Sequence, residues 1–242
     1  MHPLARVLLA LSLGLVFVRA DGPADNRIDQ VRRIPPPGVP IPEESRRELT
    51  AEVGRLGAEI EALRLASTNR PGRLSLLPDI QIFHKAVDWA LRFDEFYKTN
   101  EVETARMALK EGFRRLGALR EDKPYWTEAR GPVVRGYVSK VDGSIQPYGV
   151  VVPESFRPAG GVQHRLDVWF HGRGEQLSEL AFVGDRMRNP GEFAPRDAFV
   201  LHPYGRYCNG SRFAGETDFW EGLGQVRANY PIDPNRLVIR GF

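Results

Sequence analysis

The second half of the chain alternates short apolar runs with amphipathic stretches, and this alternation restricts the possible folds more than any other feature. From Arg165 onward the order is strand, helix, strand, helix, strand, and the last run is Leu237–Ile239. This order predicts a parallel sheet, because each helix carries the chain back to the start of the next strand. Two earlier runs, Val133–Ser139 and Ile145–Val152, flank Asp142-Gly143, a pair typical of a tight antiparallel hairpin. The sequence therefore predicts an α/β fold in which an antiparallel hairpin precedes parallel strands.

The strands and helices of this half have approximate bounds in the sequence. After the hairpin we expect strands at Arg165–Phe170 and Asp197–His202, helices at Ser178–Arg188 and Glu216–Tyr230, and a buried parallel strand at Leu237–Ile239 that follows a turn at Ile232–Asn235.

Three amphipathic helices are predicted before the first strand. The first begins after Pro42, the second covers Pro78–Tyr97 and the third covers Val102–Leu119. The first has an apolar seam with alternating spacings of four and three residues, formed by Leu49, Val53, Leu56, Ile60 and Leu63. We therefore expect a helical region at residues 43–120, whose function the sequence does not reveal, and a partial α/β domain at residues 131–242.

The N-terminus has the pattern of a secretory signal peptide. Val7–Val18 is apolar but too short to span a bilayer, and Val18-Arg-Ala20 is typical of a cleavage site. The next segment, residues 21–42, ends in a proline-rich run that indicates an extended linker. We expect an exported chain, secreted or periplasmic, without a membrane span after cleavage of residues 1–20. An uncleaved membrane anchor is the alternative.

Composition excludes several classes of function. The formal net charge is +3, and basic residues are mixed with acidic ones, so no nucleic-acid-binding stripe is predicted. Cys208 is the one cysteine, which rules out an internal disulfide. Neither a metal-ligand spacing nor a glycine-rich phosphate loop occurs, so we predict no metal and no cofactor.

Two glycine-containing turns follow predicted strands where α/β enzymes place catalytic groups. His171-Gly172-Arg173-Gly174 follows the third strand, and Gly241-Phe242 follows the fifth. Glycines permit a sharp turn and close approach of a substrate, and an oxyanion hole needs backbone N–H groups aimed at the reacting oxygen. Gly-x is also the first half of the Gly-x-Ser-x-Gly turn that presents a nucleophilic serine. Either turn alone has a purely structural interpretation, but the two together, at the third and fifth strands, favour a hydrolase.

Residues 145–242 resemble secreted bacterial α/β-hydrolases, in particular prolyl oligopeptidase-like peptidases and the polyhydroxybutyrate depolymerase and feruloyl esterase-like enzymes. The segments that carry the resemblance are Gln146-Pro-Tyr-Gly-Val-Val-Val-Pro153, Trp169-Phe-His-Gly-Arg-Gly-Glu175, His202-Pro-Tyr-Gly-Arg-Tyr-Cys-Asn209 and Asp233-Pro-Asn-Arg-Leu-Val-Ile-Arg-Gly-Phe242. The resemblance implies hydrolysis of a peptide or ester bond by a Ser-His-Asp triad.

The resemblance also implies roles for individual residues. The backbone N–H of Gly172 or Arg173 would be the first oxyanion-hole donor, on a loop that His171, Gly174 and Glu175 support. A further implication is that Tyr207 and Asn209 line the substrate cleft, although a structural role in their loop is an equal alternative.

The catalytic residues themselves are expected beyond residue 242. In the family, serine follows Gly-Phe, and the triad order is Ser, then Asp or Glu, then His. The nucleophile would therefore follow Phe242, and this polypeptide alone would be inactive and prone to aggregate through an unpaired fifth strand. The alternative is a non-catalytic exported module, in which the helical region binds a partner and the α/β part is a degenerate hydrolase scaffold.

Overall fold

The structure is a computed structural model that describes residues 34–207 and 211–241. The predicted signal peptide, most of the predicted linker, and the site residues Asn209 and Phe242 lie outside these residues. The part of the linker that is described, residues 34–42, contains neither helix nor strand. Residues from Pro35 onward form one compact unit, and the predicted division at residues 120–131 stays a prediction.

The described residues contain helices first and then alternating strands and helices, as predicted. In chain order the elements are α1 (Glu43–Ala66), α2 (Pro71–Leu74), α3 (Pro78–Arg92), α4 (Glu101–Arg120), a 3-10 helix (Tyr125–Thr127), β1 (Gly131–Val138), β2 (Ile145–Val152), β3 (His164–Phe170), α5 (Glu179–Arg186), β4 (Ala198–Pro203), α6 (Ala214–Asn229) and β5 (Ile232–Gly241).

Helix α1 packs by the seam that the sequence indicates. Its five seam positions are all buried, and they join one apolar core with residues of α3, α4 and the sheet. Helix α3 is shorter than predicted and ends at Arg92 rather than Tyr97. The reason is local, because Asp94 has a φ of 54°, a left-handed conformation that cannot continue a right-handed helix.

The sheet has the strand order β1-β2-β4-β3-β5. Strand β2 is antiparallel to both β1 and β4. Strand β3 is parallel to both β4 and β5. This confirms the predicted α/β class, an antiparallel hairpin that leads into parallel strands after a helical region.

The prediction of a buried fifth strand is wrong for the residues that the structure describes. Strand β5 is parallel to β3, as expected, but Leu237 is 38% exposed and Ile239 is 67% exposed. Within the described residues β5 pairs with β3 alone, so its other edge has no neighbour. The predicted turn is present as an irregularity in this strand, where the amide of Asn235 donates to the Asp233 carboxylate over 2.9 Å.

A buried ion pair joins the helical region to the sheet. Asp79, in the first turn of α3, accepts hydrogen bonds from the Arg135 guanidinium, the Gly136 amide and the Trp126 indole. Helix and strand touch here, because a Cβ on Gly136 would lie 2.2 Å from the Pro78 carbonyl oxygen. Only glycine permits this approach, which brings the Asp79 carboxylate within reach of β1.

A second ion pair fastens β5 to β3, and it gives a testable prediction. Arg240 Nε donates to the buried Asp167 carboxylate over 2.6 Å, and its guanidinium lies 4.3 Å from the Phe193 ring centre. We expect Arg240→Ala to lower the free energy of unfolding by about 1–2 kcal/mol, because both contacts are lost. The control is Arg236→Ala on the same strand, where an exposed arginine should change stability by no more than about 0.5 kcal/mol. Urea titrations measure both variants. Equal losses of unfolding free energy for Arg240→Ala and Arg236→Ala would show that the Arg240 contacts do not fasten β5 to β3.

Candidate functional site

The loop that follows β3 and the end of β5 emerge side by side from the carboxyl edge of the sheet. Phe170 pairs with Gly241 in the parallel register, so β3 and β5 end side by side. The contact is close, since a Cβ on Gly241 would lie 3.4 Å from Phe170 Cβ. Ligands of open α/β sheets bind at the carboxyl ends of the strands. The structure thus places the loop that begins at His171 beside Gly241 at such an edge.

The His171 ring holds the loop in place. One ring nitrogen, Nε2, lies 2.8 Å from the Tyr204 carbonyl oxygen, and the other, Nδ1, lies 2.7 Å from the Gly172 carbonyl oxygen. The imidazole therefore joins the loop after β3 to the loop after β4. Its contacts fit the predicted supporting role of His171 rather than that of a catalytic base.

Two backbone amides of the loop are not used within the described part of the chain. Among the residues that the structure describes, the amides of Gly172 and Arg173 form no hydrogen bond. Arg173 is exposed, and its guanidinium lies 3.5 Å from the Glu175 carboxylate, so the loop is braced by a surface ion pair. At the far end, the Leu177 amide donates to the Gly174 carbonyl over 3.0 Å. An N–H without a protein partner at this edge is available to a substrate oxygen.

The loop after β4 has an unusual backbone, and Arg206 within it forms two ion pairs, one with the buried Asp218 and one with the exposed Asp142. Gly205, Arg206 and Tyr207 all have positive φ values, of 65°, 54° and 77°. Arg206 donates to the carboxylates of Asp218 and Asp142. The Arg206 hydrogen bond holds the pKa of the Asp142 carboxyl below its usual range. Consecutive left-handed residues of this kind need a surrounding structure that enforces them, and they are common at functional sites.

Tyr207 lies against the loop after β3, and it lines a smaller cavity of about 290 Å³ rather than the cleft beside Gly172. Its hydroxyl donates to the Glu175 carbonyl over 2.9 Å and lies 2.7 Å from the hydroxyl of Tyr97. Asn209, the other predicted cleft residue, lies outside the described residues. The structure thus places Tyr207 beside Glu175, where it braces the loop.

The sequence did not predict the cleft beside this loop. Its volume is about 590 Å³, and Trp169, His171 and Gly172 form one side while Arg186 and His202 form the other. Burial, and then the charge of Arg186, lower the pKa of His202 to about 3, so its ring is neutral at physiological pH. Only their positions in the sequence could have pointed to Arg186 and His202 as residues of this cleft. Arg186 ends the helix after the loop, and His202 lies near the end of β4.

Glu179 begins the helix that follows the loop, and its titration gives a prediction. Burial raises its pKa to about 7, although the Lys85 ammonium 2.7 Å away favours the ionised form and Glu95 opposes it. A carboxyl whose pKa is raised on folding stabilises the protein fully below its ordinary value of 4.5, and this contribution is lost as the pH rises towards 7.

We therefore expect the stability of the wild type, relative to Glu179→Gln, to fall between about pH 4.5 and about pH 7 and then to level off. Urea titrations of both proteins at closely spaced pH values measure this difference. If the stability of the wild type relative to Glu179→Gln instead rises over this pH interval, the attraction of the Lys85 ammonium for the Glu179 carboxylate outweighs the effect of burial on its pKa.

Metal ligation and membrane insertion find no support in the described part of the chain. It contains no group of three or more His, Cys, Asp or Glu side chains placed to hold a metal ion. None of its helices combines the length and the apolar character needed to cross a membrane.

Comparisons with known solved structures yield distant neighbours. No protein-family model matches the chain, and no curated protein matches it in sequence. A solved structure described as a thermostable esterase is 20% identical over 46% of this chain, with a TM-score of 0.31. The aligned part spans 34% of that esterase. At this identity and TM-score the likeness carries no argument about activity.

Proposed function

We propose that the chain contributes the oxyanion-hole part of a serine hydrolase that cleaves an ester or peptide bond. The register Phe170–Gly241 carries this proposal, because it sets the loop with unpartnered amides beside the strand end where a nucleophile turn would begin. The strand order, with β2 antiparallel and β3 between β4 and β5, agrees with the first five strands of an α/β-hydrolase sheet.

In this proposal the loop stabilises negative charge. A serine after Phe242 would attack the substrate carbonyl carbon as the triad histidine takes its hydroxyl proton, and the carbonyl bond pair would move onto oxygen. The N–H of Gly172 or Arg173 would donate to that oxygen, with a second N–H from the residue after the nucleophile. A fixed donor of this kind contributes about 2.7–4 kcal/mol to lowering the barrier. The remaining triad residues would follow the serine in the chain.

The second candidate is a non-catalytic exported module, and the described histidines favour it. Both ring nitrogens of His171 lie at hydrogen-bond distance from carbonyl oxygens, and His202 is buried with a low pKa. Burial also lowers the pKa of His84, which lies on α3 in the helical region. In this second candidate the chain has no catalytic role, and the helical region binds a partner.

Turnover by the protein expressed from its complete reading frame tests the proposal. The substrates are p-nitrophenyl acetate and a peptide p-nitroanilide, with the 242-residue polypeptide as the matched control. We expect the longer protein to hydrolyse one of the two substrates and the 242-residue chain to show background rates only. Preference for the acetate identifies an esterase, and preference for the anilide identifies a peptidase. Absence of turnover of both would favour the non-catalytic module.

A further inference from the structure

A smaller cavity of about 290 Å³ lies where the helical region meets the sheet. Helix α3 and the turn after it provide one wall, and the start of α5 and the loop after β4 provide the other. The residues that matter for its chemistry are Lys85, Trp89, Glu95, Glu179, Tyr204 and Tyr207.

Glu179 lines this cavity, and one of its carboxylate oxygens accepts no hydrogen bond from the described residues. Its side chain is 3% exposed. One carboxylate oxygen, Oε2, accepts from Lys85 Nζ, whereas the other, Oε1, is buried and has no donor within the described residues. Leaving a buried acceptor unsatisfied is costly, so an oxygen in this position calls for a donor from outside the protein.

The charged groups around the cavity leave an excess of negative charge. Glu95 is half-buried and also lines the cavity, so its carboxylate lies near that of Glu179. Burial is the main cause that raises the pKa of Glu179, and the charge of Glu95 adds to it. Lys85 is already engaged, because Nζ also donates to the Ile145 carbonyl over 2.6 Å and lies 4.3 Å from the Trp89 ring centre. Arg206 pairs with two aspartates. A ligand that balances these carboxylates must be a cation.

The walls of the cavity favour an organic cation over a metal ion. Trp89, Tyr204 and Tyr207 provide aromatic surface, which attracts ammonium groups and packs against apolar carbon. The described residues also lack a cluster of ligands that could coordinate a metal. At about 290 Å³ the cavity lies at the lower end of the range for small-molecule sites.

We propose that this cavity binds a primary ammonium group carried on a short apolar body. The ammonium donates to Glu179 Oε1, its charge is shared with Glu95, and its carbon atoms lie against the aromatic walls. Both a free amine and the lysine side chain of a peptide have this chemistry.

Titration by isothermal calorimetry at pH 8 tests the proposal, since Glu179 is then mostly ionised. The probes are benzylamine, its neutral analogue benzyl alcohol, and the blocked tripeptide acetyl-Gly-Lys-Gly-amide. We expect benzylamine to bind at least about tenfold more tightly than benzyl alcohol. Binding of the tripeptide with similar affinity would identify a lysine side chain as a ligand, and its failure to bind would restrict the site to free amines.

Two variants locate the site, and a third is the matched control. Glu95→Gln and Glu179→Gln each remove one negative charge and should weaken benzylamine binding at least about tenfold. Glu154→Gln removes an exposed carboxylate outside the cavity lining and should leave the affinity unchanged. If Glu179→Gln does not fold, Glu95→Gln and Trp89→Leu still test the cavity. Equal binding of amine and alcohol, or equal effects of Glu95→Gln and Glu154→Gln, would overturn the proposal.

Discussion

Asp79→Ala is expected to lower the free energy of unfolding by about 3–5 kcal/mol, the usual cost of breaking a buried ion pair. The carboxylate is 1% exposed, and the Arg135 side chain that it pairs with is 3% exposed. Removing the carboxylate strands the guanidinium charge in the core and leaves the Trp126 indole and Gly136 amide without their acceptor. A loss of this size is a large fraction of the about 5–15 kcal/mol that stabilises a typical domain. Urea titration followed by circular dichroism measures it.

Two further variants of this protein test whether the loss of stability comes from the buried ion pair between Asp79 and Arg135. Asp88→Ala on the same helix breaks a surface pair with Arg92 and should cost no more than about 1 kcal/mol. The double variant Asp79→Leu/Arg135→Met replaces the pair with apolar groups and should recover a good part of the lost stability. Similar losses for Asp79→Ala and Asp88→Ala would show that the pair does not fasten α3 to β1.

Replacing one oxyanion-loop residue by proline is expected to lower kcat about 10²–10³-fold in the protein expressed from its complete reading frame. Proline has no backbone N–H, so it deletes the proposed donor. Gly172→Pro and Arg173→Pro address the two candidate amides separately, and the larger loss identifies the donor. The measurement is steady-state hydrolysis of the ester or anilide that the protein prefers.

The matched control for this pair is Arg173→Ala, which removes the side chain and its ion pair with Glu175 but keeps the amide. Its kcat should stay within about threefold of wild type, because a surface ion pair contributes little. Thermal unfolding of each variant separates loss of the donor from loss of the fold. Equal kcat for Arg173→Ala, Arg173→Pro, Gly172→Pro and wild type would remove both amides from the mechanism.

Much of the fold follows from patterns that are local in sequence. The seam of α1 recurs at helical spacing, and Asp142-Gly143 has the residues that a tight turn requires, so both could be predicted. The end of α3 could not, because it depends on the left-handed conformation of Asp94. Aspartate adopts this conformation only occasionally, so its presence in the sequence does not mark the end of a helix.

The exposure of β5 shows that the burial of a strand also cannot be predicted from local sequence. An apolar run such as Leu237–Ile239 predicts a strand, but burial depends on which elements cover it, and that is a property of the assembled sheet. The described residues supply only β3 as its neighbour. Pairing direction was therefore predictable from the strand-helix-strand order, whereas burial was not.

The sequence predicted the backbone loop of the candidate site but not the side chains that line the cleft beside it. The glycines at 172 and 174 indicate a loop at the carboxyl end of a strand, and the loop lies there. Arg186 and His202 are brought to the same cleft only by the packing of α5 on the sheet. Glu179 has the sequence context of an ordinary first-turn glutamate, and only the fold shows that it is buried beside Lys85.

Covalent labelling is the sharpest test of the proposal that the His171–Gly174 loop is the oxyanion hole of a serine hydrolase. The protein expressed from its complete reading frame is treated with a fluorophosphonate probe, and the modified residue is mapped by mass spectrometry. We expect one labelled serine, immediately after Phe242, with labelling slowed by proline at residue 172 or 173. Absence of labelling, or labelling of Ser178 or Ser211 instead, would contradict it.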